Sequence, residues 1–237
     1  METVSLQQTL AELPASTKSN LEKLSEVFML ENEQINLSAH RTKDRVWTGN
    51  ILDSLALVHF MKEYSILHTQ YSILDLGTGG GFPLLPLAIT FPELRFTGMD
   101  SVKKKMDAVE RIAKTLGIGN VSLLTGRSEE LGKDPKHREA YDVVTARAVA
   151  ETRLLLEYCA PFVKVGGHIL LWKSMDIDEE ISSATSAEHT FSLQKKSSVL
   201  YDLGEPWGKR QILVYQKTKA TSEEYPRPVG SAKKSPL

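Results

Sequence analysis

Short apolar runs and helical apolar patterns alternate along the chain from residue 71 to residue 173. Runs typical of buried strands occur at 71–76, 95–100, 120–125, 140–146 and 167–173. Between them, apolar residues at helical spacing predict helices at 83–90, 103–116 and 150–162, with a short turn near 128–132. This alternation predicts an α/β fold in which helices cover both faces of a parallel sheet.

The pattern changes after residue 173. A helix is predicted at 176–187, and two further strands are predicted at 197–203 and 209–217. The turn-rich segment 204–208 joins these two strands closely, so we expect an antiparallel hairpin. The prediction is therefore a mostly parallel seven-stranded sheet with an antiparallel edge strand.

The two ends of the chain differ from this central part. Apolar positions predict helices over 18–33 and 44–61, so residues 1–70 are predicted to form a helical N-terminal extension to the 71–220 core. Residues 221–237 have little apolar content and contain Arg227, Lys233 and Lys234. We expect this last segment to be a basic, flexible tail.

The segment Asp75-Leu-Gly-Thr-Gly-Gly-Gly-Phe-Pro-Leu84 stands between the first core strand and the helix that follows. Its glycines, Gly77, Gly79 and Gly81 among them, leave bare backbone at the carboxyl edge of the sheet. Such backbone can approach a nucleoside or an amino-acid carboxylate closely. The same glycines also suit a tight strand-to-helix turn, and both interpretations can hold together.

Spacing narrows the kind of nucleotide. The dinucleotide pattern G-x-G-x-x-G fails in both registers, because Phe82 or Leu84 stands where the third glycine is needed. The next strand ends in Asp100, whose carboxylate can accept hydrogen bonds from both hydroxyls of a ribose. A ribose without a pyrophosphate fits S-adenosylmethionine better than NAD. The alternative for Asp100 is a cap on the following helix.

Composition excludes several classes. The chain has 237 residues and one cysteine, Cys159, so neither a disulfide nor a cysteine-based zinc site is expected, and the six histidines show no metal-ligand spacing. The start shows no signal peptide, and no apolar run is long enough to span a bilayer, which predicts a cytoplasmic protein without membrane contact. We expect a monomer. The net charge of −1 means that any contact with nucleic acid must depend on local patches.

Three segments, LDLGTGGGFP, MDS at 99–101 and YDVVTARAV at 141–149, resemble a class I S-adenosylmethionine-dependent methyltransferase. Four others narrow the resemblance: NLSAHR at 36–41, ILDSL at 51–55, GRSEE at 126–130 and the tail from 225 to 237. They resemble the bacterial small-subunit ribosomal RNA methyltransferase G family, also called glucose-inhibited division protein B. The resemblance implies a Rossmann-like fold and methylation of a guanine N7 in the RNA of the small ribosomal subunit.

The resemblance also implies cofactor contacts from Gly77, Phe82, the Ser128-Glu129 pair and Arg147. Each has another interpretation: core packing for Phe82, a helix cap for Ser128 and a solvated surface position for Arg147. The chain departs from the family pattern in two places. Gly49-Asn50 stands where the family often has Arg-His, and Lys173-Ser174 where it usually has Lys-Gly.

The chemistry explains why no acid–base pair is evident. Guanine N7 carries an in-plane lone pair, so it needs no deprotonation before it attacks an electrophilic methyl group, and catalysis can consist mostly of alignment. For contact with RNA, the candidate cations are Arg41, Arg227, Lys233 and Lys234. Lys103, Lys104 and Lys105 are more typical of a solvated helix face.

The sequence therefore favours a methyltransferase that acts on small-subunit ribosomal RNA or on the small subunit itself. One alternative is a class I methyltransferase for another RNA, a protein or a small molecule. The other is a ribosome-binding module that keeps the fold without turnover.

Overall fold

A computed structural model of the chain describes residues 3–64, 71–147 and 150–237. An eight-stranded mixed sheet lies at the centre, with the order β1-β7-β8-β6-β5-β2-β3-β4. Its strands are β1 (Thr3–Val4), β2 (Ser72–Leu76), β3 (Arg95–Asp100), β4 (Val121–Thr125), β5 (Tyr141–Arg147), β6 (Val163–Lys173), β7 (Leu193–Asp202) and β8 (Lys209–Lys217). β8 runs antiparallel to β6 and β7, and the other pairings are parallel.

This architecture confirms the predicted α/β class and the antiparallel end of a mostly parallel sheet. All seven predicted strands are present. The eighth, β1, pairs with β7 at Thr3–Leu200 and Val4–Tyr201, so β7 and β1 lie outside β8. Two residues are too few to show an alternation of apolar and polar positions, and the sequence pattern therefore missed this strand.

Helices pack on both faces of the sheet. They are α1 (Leu6–Glu12), α2 (Ala15–Gln34), α3 (Lys43–Val46), a π-helix (Trp47–Leu52), α4 (Asp53–Glu63), α5 (Leu84–Thr90), α6 (Lys103–Leu116), α7 (Ser128–Leu131), α8 (Thr152–Cys159), α9 (Asp178–Ser183), α10 (Thr185–Thr190) and α11 (Ser231–Lys234). Successive side chains of a strand point to opposite faces of its sheet. In β2, Ile73 accordingly packs in one apolar core and Leu74 in the other.

The N-terminal helices share the first of these cores with the sheet. Phe28 of α2 and Leu55 of α4 are fully buried with Leu85 and Val109. The ring of Phe28 meets the ring of Phe82 edge to face, with 4.8 Å between their centroids. The extension thus packs directly behind the glycine-rich loop. The boundary that we predict at residue 70 lies outside the described residues.

The C-terminal segment, residues 221–237, contacts the core, and its flexibility stays a prediction. The Arg138 guanidinium donates to the main-chain carbonyls of Thr221, Ser222 and Tyr225 at 2.8–3.0 Å. Ala232 of α11 is buried, at 1% exposure. Hydrogen bonds from Arg138 and the ion pair between Arg227 and Glu157 thus connect this segment to the core.

Candidate active site

A cavity of about 450 Å³ opens at the carboxyl ends of β2, β3 and β5, beside the segment that follows β4. This is the edge at which open α/β sheets bind ligands. All seven predicted cofactor residues line this cavity, namely Gly77, Gly79, Phe82, Asp100, Ser128, Glu129 and Arg147. Leu37, Ser38 and Asn50 of the N-terminal extension and Tyr158 of α8 also line the cavity, and the sequence analysis did not propose them as site residues.

The glycine-rich loop has the backbone that its composition predicts. Gly77, Gly79 and Gly81 have φ values of +73°, +56° and +88°. A Cβ on Gly81 would lie 2.7 Å from Cδ1 of Leu85, so the loop also needs glycine for space. The N–H groups of Gly77 and Thr78 donate to the Met99 carbonyl at 2.8 and 2.9 Å, and the Thr78 carbonyl accepts from the Gly81 N–H at 2.8 Å.

Asp100 connects two loops at the cavity. Its Oδ2 accepts from the Gly79 N–H at 3.0 Å, and its Oδ1 accepts from the Val102 N–H at 2.8 Å. Each carboxylate oxygen has a further lone pair, so both can still accept a bond from a hydroxyl. The N-cap of α6 is Val102, so Asp100 holds the turn before the helix rather than capping it.

Asp75 lies buried beneath the loop, at 2% exposure. Burial raises the pKa of its carboxyl to about 6, against the opposite effects of the Thr78 hydroxyl, Arg147 and the Leu84 main chain. These neighbours belong to the loop and its flanks. Neither carboxylate oxygen of Asp75 has a hydrogen-bond partner of normal geometry among the described residues, and Asp75 does not line the cavity.

Ser128 and Glu129 follow β4 and begin α7. The N-cap of α7 is Arg127 and makes no side-chain cap, so the alternative of a Ser128 cap is wrong. The Ser128 hydroxyl donates instead to the Glu129 carboxylate at 3.1 Å. Glu129 is 8% exposed and also accepts from the Gly230 N–H at 3.1 Å. The side chain of Glu129 is thereby held by the protein itself.

Arg147 ends β5 at the cavity wall and is not a solvated surface arginine. Its Nη1 donates to Asp53 Oδ2 at 2.7 Å and to the Gly49 carbonyl at 3.1 Å, and its Nη2 donates to Asn50 Oδ1 at 3.1 Å. Its guanidinium also lies 5.9 Å from the ring centroid of Phe82. Most of its hydrogen-bonding capacity is therefore used to hold the N-terminal extension.

The partner of Arg147, Asp53, is fully buried and was missed by the sequence analysis, although it belongs to the ILDSL segment. The Tyr201 hydroxyl donates to its Oδ1 at 2.6 Å, and Arg210 lies 3.6 Å away. Burial and the Asp53 charge raise the pKa of Tyr201 well above its usual value. A buried carboxylate with two arginines and a phenol joins the extension to β5, β7 and β8.

The departure at Gly49 has a steric explanation. A Cβ there would lie 2.4 Å from the Trp207 ring and 2.5 Å from Cε1 of His40. These two rings meet edge to face at 4.9 Å and fill the space that a larger residue would need. Burial lowers the pKa of His40, while the hydrogen bond with Asn50 opposes the shift.

The predicted RNA-binding cations do not form one cluster with free side chains. Arg41 donates to the Asn32 carbonyl at 2.9 Å and to Asn36 Oδ1 at 2.6 Å. Arg227 donates to both carboxylate oxygens of Glu157, at 2.9 and 2.5 Å. Lys233 and Lys234 are exposed on α11. The geometry thus gives Arg227 a structural role that the sequence did not predict.

The cavity fits S-adenosylmethionine, the donor that the resemblance implies. Asp100 can accept from a ribose diol, and the loop carbonyls can accept from the ammonium group of a methionine moiety. The 126–129 segment lies next to Asp100, with the Gly126 N–H 3.1 Å from the Asp100 carbonyl, where the base attached to such a ribose would lie.

Among the described residues, we find no helix with the length and apolar character needed to cross a membrane.

Solved structures of known proteins share the architecture of this chain. The architecture is similar to the ribosomal protein L11 methylase of Lactobacillus delbrueckii subsp. bulgaricus, with a TM-score of 0.51, 16% identity and coverage of 70% of this chain and 79% of that one. It is also similar to the fibrillarin pre-rRNA processing protein of Methanococcus jannaschii, with a TM-score of 0.51, 15% identity and coverage of 65% and 69%. At such identities the likeness concerns the fold alone.

Sequence comparison is more specific. The chain is 37% identical to the ribosomal RNA small subunit methyltransferase G of Carboxydothermus hydrogenoformans over 216 residues, which cover 91% of this chain and 90% of that one. It is also 37% identical to the protein of the same name from Brevibacillus brevis, with coverage of 87% and 85%. The family model described as rRNA small subunit methyltransferase G matches residues 17–212. The chain therefore belongs to the rRNA small subunit methyltransferase G family, and it is a methyltransferase.

Proposed function

We propose that this enzyme transfers the methyl group of S-adenosylmethionine to N7 of a guanine in small-subunit ribosomal RNA. Membership of the family carries the choice of substrate, since the relatives are named for the RNA of that subunit. The cavity at the carboxyl edge of the sheet supports the choice of reaction. The enzyme would act in the cytoplasm, where small subunits are assembled.

Two sides of the cavity have different roles in this proposal. Gly77, Gly79, Asp100 and the Ser128-Glu129 pair form the side for the cofactor. We assign to the target base the lining residues Leu37, Ser38 and Asn50 of the N-terminal extension, together with Arg147. Because the first side is used by the adenosyl and methionine groups, the target base would enter along the second.

The chain's own residues would contribute binding and alignment rather than acid–base chemistry. The bound donor supplies a methyl group that its sulfonium already makes electrophilic. Phe82 is 5% exposed and forms an apolar part of the wall, which helps to exclude water. Arg147 and Asp53 hold the extension against β5, so the wall for the base has a defined position relative to the wall for the cofactor.

Contact with RNA would come from cations around this edge. Lys105 and Arg127 line the cavity, and Arg41, Lys233 and Lys234 are exposed on neighbouring segments. Such cations neutralise phosphates, so RNA binding should weaken as salt rises. Arg227 receives less support from the geometry because Glu157 already neutralises its charge.

A transfer assay tests the proposal. The purified protein is incubated with methyl-labelled S-adenosylmethionine and small ribosomal subunits that lack the modification, and the nucleotides of the RNA are then mapped by mass spectrometry. We expect label at one guanine, in the form of 7-methylguanosine. Label in another RNA or in protein would support a different class I methyltransferase. Cofactor binding with no label in any ribosomal component would also contradict the proposal.

A further inference from the structure

The C-terminal segment is attached to the two elements that flank the proposed adenosine side of the cavity. Arg227 binds Glu157 of α8, the residue next to Tyr158, which lines the cavity. Gly230 binds Glu129 of α7, which lines the cavity itself. A third contact lies at the end of α7, where a Cβ on Gly132 would be 3.1 Å from Cγ of Pro226. The first contact is with α8, and the other two are with α7 and the residue that follows it.

The contact between Arg227 and Glu157 is strong. Glu157 is 2% exposed, and both of its carboxylate oxygens accept from the same guanidinium, at 2.9 and 2.5 Å. Paired bonds of this kind set both distance and orientation. The third arm of the guanidinium donates to the Ser235 carbonyl at 3.0 Å, which closes the segment on itself. The hydrogen bond to Glu157, followed by the charge of that carboxylate, raises the pKa of Arg227 against the effect of burial.

The contact between Gly230 and Glu129 acts on the cavity wall directly. Glu129 has one carboxylate oxygen bound by Gly230 and the other by the Ser128 hydroxyl, both at 3.1 Å. Both oxygens are thus engaged by the protein. The side chain that anchors the Ser128-Glu129 pair is therefore fixed by a residue about a hundred positions further along the chain, rather than by α7 alone.

We propose that the C-terminal segment is a positioning element for the cofactor site, with Arg227 as its anchor on α8 beside that site. It orders the 126–129 loop through Glu129 and the neighbourhood of Tyr158 through Glu157. This inference rests on the proposed use of the loop by the cofactor. It differs from the expectation that the segment serves RNA alone, since only Lys233 and Lys234 leave their charges exposed for that purpose.

The test compares two variants of the same segment. Arg227→Ala removes the anchor, and the double variant Lys233→Ala/Lys234→Ala removes two exposed charges from α11. Affinity for S-adenosylmethionine is measured by calorimetry, and KM is measured separately for cofactor and for small subunits. We expect Arg227→Ala to raise the cofactor Kd and KM by about tenfold or more, because a charge-assisted pair is lost. KM for subunits should change by less than about threefold.

The lysine variant serves as the matched control and should show the opposite pattern. Its cofactor Kd should stay within about twofold of the original, while its KM for subunits rises. That KM should also depend less steeply on salt, because two charges that can neutralise phosphates are lost. If Arg227→Ala lowers the melting temperature but leaves the cofactor Kd of the folded protein unchanged, the segment is merely structural and the inference is wrong.

A second variant covers the case in which Arg227→Ala does not fold. Arg227→Met combined with Glu157→Met removes the anchor without leaving a buried charge unpaired, an exchange that proteins often tolerate. The same rise in cofactor Kd is expected, and an unchanged Kd overturns the inference. If the unaltered protein takes up no cofactor, the proposed function itself fails, which is a different result.

Discussion

The Arg147 guanidinium donates to the buried Asp53 carboxylate at 2.7 Å, and this ion pair joins the end of β5 to the start of α4. Asp53 is fully buried and Arg147 is 16% exposed. The pair stands between the N-terminal extension and the methyltransferase core, so it sets how the two walls of the cavity face each other. Tyr201 of β7 and Arg210 of β8 also contact the Asp53 carboxylate.

Loss of Asp53 should therefore be costly. Asp53→Ala leaves Arg147 and the Tyr201 hydroxyl without their buried partner, and the free energy of unfolding should fall by about 3–5 kcal/mol. Asp107→Ala is the control, because it breaks an exposed pair with Lys103, whose side chains are 77% and 44% exposed. That change should cost no more than about 0.5 kcal/mol. Urea unfolding measures both, and similar losses in the two variants would contradict a central role for Asp53.

The carboxylate of Asp100 should determine cofactor affinity. Asp100→Asn keeps the shape but removes the charge and one of the two acceptors, so the Kd for S-adenosylmethionine should rise by about 10–100-fold. Asp202→Asn is a matched control, since Asp202 also accepts from the N–H two residues ahead, at 2.8 Å, in the turn between β7 and β8. Calorimetry on both variants decides the point. Equal effects would show that Asp100 serves only its turn.

Gly79 and Gly117 both have a left-handed backbone conformation. Comparing alanine variants of the two therefore separates the cost of backbone strain from the loss of a cofactor contact. Gly79 has φ +56° and lines the cavity, whereas Gly117 has φ +67° at the end of α6. Alanine at either position should cost about 1 kcal/mol of stability through the left-handed backbone. Only Gly79→Ala should also weaken cofactor binding, by about tenfold or more, because its methyl group would stand at the cavity wall. Unchanged cofactor affinity in Gly79→Ala would argue against the loop as the binding site.

Asp75 should make stability depend on pH. Its pKa is raised from 3.8 to about 6, so between these values the folded chain holds a proton that the unfolded chain has lost. Stability should fall as pH rises from about 4 to about 6, and the cost should persist above that range. Asp75→Asn removes this cost, and at pH 7.5 it should be more stable than the original by roughly 1–3 kcal/mol.

The advantage of Asp75→Asn should vanish at pH 4, where the original carboxyl is protonated in the folded state. Urea unfolding at pH 4 and at pH 7.5 measures the difference. An asparagine variant that is no more stable at pH 7.5 would show that the carboxylate is satisfied in the fold, and the raised pKa would then have no consequence for stability.

Much of the fold was predictable from periodicity alone. The seven long strands and the helices α5 and α6 follow local patterns of apolar residues, which a sequence displays directly. The features that were missed depend on distant partners. The strand β1 forms by pairing with β7, and the contacts of the C-terminal segment come from Arg138 and Glu157.

The residues of the candidate site likewise fall into two groups, those that local motifs predict and those that depend on distant contacts. Gly77, Gly79 and Asp100 could be predicted because a glycine-rich turn and an acidic strand end are local motifs with fixed spacing. Asn50, Asp53 and Tyr158 could not, because their roles come from contacts across the fold. The predicted role of Arg147 shows the limit most clearly: its position at the strand end follows from sequence, whereas its partner Asp53 lies 94 positions away.

The most direct measurement is a calorimetric titration of the folded protein with S-adenosylmethionine. If the main chain at 77–81 and the carboxylate at 100 hold this donor, each chain takes up about one molecule, and Asp100→Asn weakens that uptake while Asp202→Asn does not. Absence of uptake by a protein whose unfolding is cooperative would contradict the assignment of the cavity, and with it the reaction proposed for this enzyme.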